Sequence, residues 1–455
     1  AAWGGGRRVT SPVIAACAAA AFIAGFSCYL YLPIRSAVGA TPDWGAPDTF
    51  RRFVEHVAGV RFRAAARFSI PLVWARAGVA AATFPAQLGW AATIAGALGL
   101  VLFARRRFPD SCLITLAGAG PAFFILCYYS ANWRTYLTPA YLAVGLGAGY
   151  LAAWAVTACR RRRIAVIGGA VIALAGVSGA AVRFAPGDKS EDRGGGDAAV
   201  KILETIGYRG TLLLSHAGGA VIGPIAGVKT AFRARPDITI WDASGDRQFN
   251  DFAELAGAAA GTRVELLPDA AYERALTALA GDPTRRLFLL APEPALGRYG
   301  YFLTKRHLLY RVSRPGDRTD ERDWWSFYWR RGEPTFDYPD YWNGTFYAAV
   351  YLAEANDREA VGAYDRAACA RVRARELATG SAEAEALIGY DALTRGQWPE
   401  AEAALRRALK LDPSFATARS QLIEVLEAEG RRGAAARERD IYRRLFGREA
   451  EGVLP

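Results

Sequence analysis

The chain has 455 residues, 52% of them hydrophobic, and a formal charge of +12, enough for two or three domains. The excess of 56 Lys and Arg over 44 Asp and Glu lies largely in short arginine clusters between apolar runs. That pattern fits membrane topology better than a nucleic-acid partner, and none is expected. Six cysteines, with only Cys369 far from an apolar segment, match neither a disulfide framework nor a zinc pattern, so no metal site is expected.

Residues 9–34 carry an apolar run long enough to span a bilayer, which takes about 20 residues. The run is too long for a signal peptide. The helix is expected to stop at Leu32 and Pro33, with Arg35 directly after. An outer loop over 35–69 begins Pro/Gly-rich and holds Asp43, Trp44 and Gly45. A short amphipathic helix follows, with Asp48 as its expected cap. Phe50, Phe53, Val54 and Val57 recur on one face, Arg51, Arg52 and Glu55 on the wet side, and His56 on the border.

Residues 64–85 are apolar but carry Arg67, Pro71 and Arg76, which suggests an interfacial or re-entrant helix. Four more spans are expected at 86–104, 111–130, 136–157 and 164–182. Placing Arg7–Arg8, Arg105–Arg107 and Arg160–Arg163 on the cytoplasmic side is self-consistent for this set. The loop after the first span and everything beyond residue 183 then lie outside. Gly145 and Gly149 have a small-xxx-small spacing that permits close helix contact. Ordinary glycine content in an Ala/Gly-rich membrane region explains them equally well.

A charged, Gly-rich linker covers 184–196. Helical patterns at 197–207 and 218–233 then alternate with strand patterns at 211–215, 237–241 and 286–290. This argues for a small parallel α/β domain over 197–318. Ser215–Ala220 (SHAGGA) lies between a strand and a helix, where an anion could sit, but without a G-x-G-x-x-G pattern it reads as a turn. An aromatic-rich junction covers 319–347, and residues 348–455 are helical. Gly389, Gly396, Ala401, Leu405, Ala408 and Pro413 resemble a tetratricopeptide repeat. A weaker unit follows with Leu422, Leu426, Gly430 and Ala435, and a third precedes around Gly362 and Ala367. Such stacks bind a protein partner along a concave face or cap a neighbouring domain. The expected fold class is thus mainly α: a polytopic helical membrane domain over 1–183, a small α/β domain, and helical repeats.

The ordered set YLPIR (31–35), DWG (43–45) with Pro47, Phe53 with His56–Val57, and the Phe62–Arg63 pair resembles a membrane glycosyltransferase family. The family, long catalogued as a domain of unknown function, is that of transmembrane protein O-mannosyltransferases of the GT-C type. The resemblance covers the first third of the chain and extends loosely to RPDITIWD (235–242). It implies transfer of a sugar, mannose, from a polyprenyl-phosphate donor to protein hydroxyl groups on the outer face. It implies no cofactor, membrane lipid and an acceptor protein as partners, and a bacterial inner-membrane location. Family members carry more helices ahead of this segment and repeats at the carboxyl end. With no methionine in the chain, an amino-terminally truncated piece is therefore expected.

Glycosyl transfer needs a carboxylate that takes the acceptor proton. In GT-C enzymes it lies in the first outer loop, which places the main catalytic acid upstream of residue 1. Asp43, beside Trp44 at the membrane surface, is the residual candidate here. Arg35 and Arg134 sit on the outer side against the charge trend. They suit a clamp on the donor phosphate, whose oxygens a guanidinium matches bidentately, or they snorkel to lipid headgroups. Asn132, Trp133 and Tyr136 could line a sugar pocket or form an interfacial aromatic belt. Trp44 and His56 complete the candidate substrate contacts. The competing reading is a non-catalytic, membrane-anchored repeat scaffold of an envelope complex.

Overall fold

The computed structural model describes residues 16, 19–20, 23, 27–38, 47–58, 69–127, 133–158, 194–214, 224–229, 234–243, 249–259, 262, 267–317, 325, 341–378 and 380–447. The protein is mainly helical with one small sheet. It divides into two compact units that do not follow chain order: Ala1–Arg63 with Gly196–Tyr328, and Ala64–Gly195 with Trp329–Pro455.

In the first unit, a 3-10 turn at Cys28–Leu30 leads into α1 (Tyr31–Ala37). The helix does not end at Leu32–Pro33 as expected. Pro33 falls in the first turn of α1, where its missing N–H breaks no helical hydrogen bond. Arg35 therefore lies inside the last turn. Helix α2 (Phe50–Val57) is capped by Thr49, whose hydroxyl accepts from Arg52 N at 3.3 Å. Asp48 is not the cap; its carboxylate instead takes Arg52 Nη1 at 2.8 and 3.0 Å.

The sheet of this unit has order β3-β2-β1-β4-β6-β5. The parallel part is β1 (Thr211–Leu214), β2 (Thr239–Asp242), β3 (Asn250–Asp251) and β4 (Leu287–Leu289). Alternate residues serve two cores, as a period of two requires. Leu212, Leu214 and Phe288 meet Ala199, Ile202 and Leu203 of helix α7 (Gly194–Thr205). Leu213, Leu287 and Leu289 meet Ala275 and Leu276 of α8 (Asp269–Gly281). With both faces covered, β1 and β4 are buried throughout and read as apolar runs, and all three expected strands are present. The hairpin of β5 (Phe302–Arg306) and β6 (Leu309–Ser313), whose β6 pairs antiparallel with β4, was not expected. It makes the sheet mixed rather than parallel. Its polar residues Lys305, Arg306 and Arg311 dilute the apolar signal.

In the second unit, α3 (Ile70–Leu88) starts at Ser69, whose hydroxyl accepts from Leu72 N. At Gly89, with φ +81°, the chain bends by 110° into α4 (Trp90–Arg106). A positive φ of this size suits glycine alone. The residues expected as an interfacial or re-entrant helix and as the following span thus form one bent pair, a broken span or a re-entrant loop. Helices α5 (Phe108–Cys127) and α6 (Thr138–Ala158) are long and apolar enough to cross a membrane, the two such helices among the described residues. The first expected span is described only at scattered positions before residue 27, and the fifth, at 164–182, lies outside the described residues.

Helices α4 and α6 cross closely through Gly96, Gly99 and Gly147. A Cβ on Gly99 would land on the Gly147 carbonyl, and one on Gly147 on the Gly96 carbonyl. Gly145 and Gly149 do not make this contact; nothing lies within 4 Å of a Cβ at either. Residues two apart in a helix point about 200° apart, so the face that presents Gly147 turns both of them away.

Six helices follow, joined by short turns: α9 (Tyr341–Ala360), α10 (Tyr364–Leu377), α11 (Ala382–Thr394), α12 (Trp398–Leu411), α13 (Ala416–Ala428) and α14 (Arg432–Phe446). They pack as three successive hairpins. Gly362, Gly396 and Gly430 turn them at φ +78°, +71° and +73°, each 34 positions after the last. Ala367, Ala401 and Ala435 keep the same spacing and are all buried. Gly389 admits Leu405, which would lie 2.7 Å from a Cβ there.

Candidate functional site

Arg35 closes α1 with its side chain exposed. Its guanidinium carbon lies 5.9 Å from the centre of the Tyr31 ring, one helical turn back. Among the described residues it forms no ion pair, and Tyr31 is its ring contact. A cation at a helix carboxyl end is favourable there, and the stacked ring holds the guanidinium without consuming its N–H donors. Among the described residues nothing takes those donors. The surrounding side chains Tyr29, Leu30, Tyr31, Ile34 and Val38 are exposed and apolar or aromatic, a surface suited to lipid.

Helix α2 carries the next candidates. The expected single apolar face is split: Phe53 is buried, while Phe50 is 81% exposed. His56 is half-buried in the last turn. Glu55 is held by Arg51 at 2.9 Å, and Asp48 by Arg52. Both acids therefore serve the helix, as an i,i+4 pair and as an anchor just before its start. Asp43 and Trp44 lie outside the described residues.

The other candidates belong to the second unit. Asn132 lies outside the described residues, and of Arg134 only the backbone is described, within the 3-10 turn Trp133–Leu137. Tyr136 is exposed. Trp133 is fully buried, in a cluster with Ala80, Ile125 and Leu137. One ring face is taken by the Arg76 guanidinium, 5.3 Å from the ring centre. Trp133 thus braces the turn that carries Arg134 and presents its ring to protein, not to solvent. At the opposite end of these helices, Arg106 stacks on Trp154 at 5.4 Å, an arrangement typical of a membrane boundary.

Two residues of note were not singled out in the sequence. Arg235, in the RPD run, adopts φ +51°. Its guanidinium donates to the carbonyls of Leu203, Ile206 and Gly207 at 2.6, 3.0 and 3.1 Å, which closes the carboxyl end of α7. The same group pairs with Asp237. With Arg209 N also donating, the Asp237 carboxyl is held well below the usual carboxylate range, chiefly by Arg235. The motif's arginine is a staple of the α/β fold. His307 turns the β5–β6 hairpin at φ +53° and is buried against Thr205 Oγ1 at 3.0 Å and the edge of Trp325. It is a packed, hydrogen-bonded histidine.

A cavity of about 300 Å³ opens along the hairpins, lined by Thr345, Leu387, Tyr390, Phe415 and Gln421. These residues come from the first helix of each hairpin or its entry. Among the described residues no group of three or more His, Cys, Asp or Glu is placed to hold a metal ion. No family model, curated protein or solved structure matches the chain.

Proposed function

We propose that this chain is part of an integral-membrane glycosyltransferase that moves mannose from a polyprenyl-phosphate donor to protein hydroxyl groups on the outer face of the membrane. The observation that carries the proposal is Arg35. It ends an apolar helix inside the best of the family-like runs, is exposed, and among the described residues has no carboxylate to neutralise it. A guanidinium so placed is a natural phosphate partner. The exposed Phe50 on α2, with its charged side internally paired, supports a helix resting at the membrane surface beside the site. Helices α5 and α6 support the membrane reading. Asp48 and Glu55 are occupied, which leaves Asp43 as the acid in this loop and is consistent with a catalytic base elsewhere in a longer protein.

In the same reading the three hairpins are tetratricopeptide repeats. The 34-residue spacing of Gly362, Gly396 and Gly430 supports this, since that is the repeat's period. The cavity along their first helices favours a protein partner there, and keeps a membrane-anchored scaffold as the second reading.

The deciding experiment is sugar transfer from a polyprenyl-phosphate donor by the full-length protein. Arg35→Lys keeps the charge but loses the fork, and should impair transfer. Arg35→Ala should impair it further, since a charge-assisted pair to phosphate contributes about 1.5–3 kcal/mol, a loss of about 10- to 150-fold. Transfer by both variants at the wild-type rate and matched expression would remove Arg35 from the site. Absence of transfer by the wild-type protein with intact donor and acceptor would favour the scaffold.

A further inference from the structure

Arg76 is a fully buried cation on a helix that the apolar pattern alone would place in or against lipid. A buried charge persists only if its surroundings replace water. Three elements do so. Nη1 donates to the Ile125 carbonyl at 3.2 Å, one of the last-turn acceptors that α5 cannot satisfy internally. The Trp133 ring lies under the guanidinium. Nε donates to Ser414 Oγ at 2.7 Å, 338 residues away in sequence.

Ser414 is itself fully buried, in the turn between α12 and α13. Its hydroxyl donates to Asp412 Oδ1 at 2.5 Å, and its backbone N–H donates to the same oxygen at 2.9 Å. The arginine's charge therefore faces a carboxylate through a single hydroxyl. Arg419 approaches the same turn from α13, donating to Pro413 O at 2.8 Å and pairing with Glu438 of α14. Helix α14 also touches α3. All these contacts lie at the end of α5 remote from Arg105–Arg107.

We infer that Arg76, Ser414 and Asp412 form a buried latch that seats the last helical hairpin on the ends of α3 and α5 and on the Trp133–Leu137 turn. The hairpin and the turn that carries Arg134 are then one mechanical piece. Strain on the repeat reaches that turn through the Arg76 guanidinium. The inference does not depend on the transfer reaction proposed above. Arg76 is a positioning residue, because its Nε and Nη1 donate to protein groups.

The test is hydrogen–deuterium exchange of the full chain in lipid nanodiscs, with Ser414→Ala and Arg76→Lys. Ser414→Ala changes only the repeat side, yet the latch predicts exchange at 133–137 faster by about fivefold or more, the lower end of ordinary coupling between sites. Arg76→Lys should do the same at 412–420, since one ammonium cannot reach Ser414 Oγ and Ile125 O in the same geometry. Exchange at 355–370 should stay unchanged in both. The double variant should match the larger single effect, because both substitutions break one connection. Effects confined to each variant's own side, or effects that add in the double variant, overturn the latch. If Arg76→Lys fails to fold, Ser414→Ala with Asp412→Asn carries the same cross-interface readout at 133–137.

Discussion

Replacing Gly389 by valine should loosen the second hairpin and leave its neighbours folded. A Cβ at Gly389 would lie 2.7 Å from Cγ and Cδ2 of Leu405 and 3.5 Å from the Ala401 carbonyl oxygen. Carbon atoms rest at about 3.5–4.0 Å, so one side must yield by about 1 Å. Leu405 and Ala401 are both fully buried, so either must displace its neighbours to yield. Overpacking of this kind costs about 1–3 kcal/mol. The higher helix propensity of valine over glycine returns only a few tenths. Local opening of α11 and α12 should therefore be favoured by about 1–3 kcal/mol, which is about 5- to 150-fold faster amide exchange across 382–411. Gly433→Val is the control, because nothing lies within 4 Å of a Cβ there, and its effect should stay within about 0.5 kcal/mol. Equal or slower exchange in Gly389→Val, with the control unchanged, would refute the close α11–α12 packing.

Two further outcomes follow from the geometry. Gly99→Leu should reduce the yield of monodisperse protein in detergent, because its side chain would meet the backbone of Gly147, whereas Gly149→Leu should be tolerated in open space; equal behaviour of the two would place the α4–α6 crossing elsewhere. The Asp237 carboxyl is depressed by Arg235, so it contributes stability above the unfolded carboxylate value of about 3.9, and that contribution is lost as pH falls through and below it. Denaturation followed by tryptophan fluorescence should show an acid-side loss that Asp237→Asn lacks; the same acid limb in both proteins would sink this assignment.

The strands were legible because β1 and β4 are buried on both faces and read as unbroken apolar runs. The helical hairpins were legible because each must place small residues where its helices meet and glycine where its chain turns, as at Ala401 and Gly396. Those demands are local, and they recur at a fixed period that a single sequence displays. The apolar helices α5 and α6 were legible for a similar reason, since length and composition alone mark a helix able to cross a membrane.

What the sequence could not decide are pairings between residues with no fixed separation. The break at Gly89 was not anticipated, because only the backbone's positive φ distinguishes it. The choice of Gly147 over Gly145 and Gly149 depends on which face α6 turns toward α4. Thr49 displaced Asp48 as the cap because Arg52 takes the Asp48 carboxylate. Arg76 read as an obstacle to a membrane helix, and its partner Ser414 lies 338 residues away. No local pattern encodes that contact. It exists because the chain returns its carboxyl-terminal hairpin to the end of α5, where a buried charge can be satisfied only by groups from several distant segments.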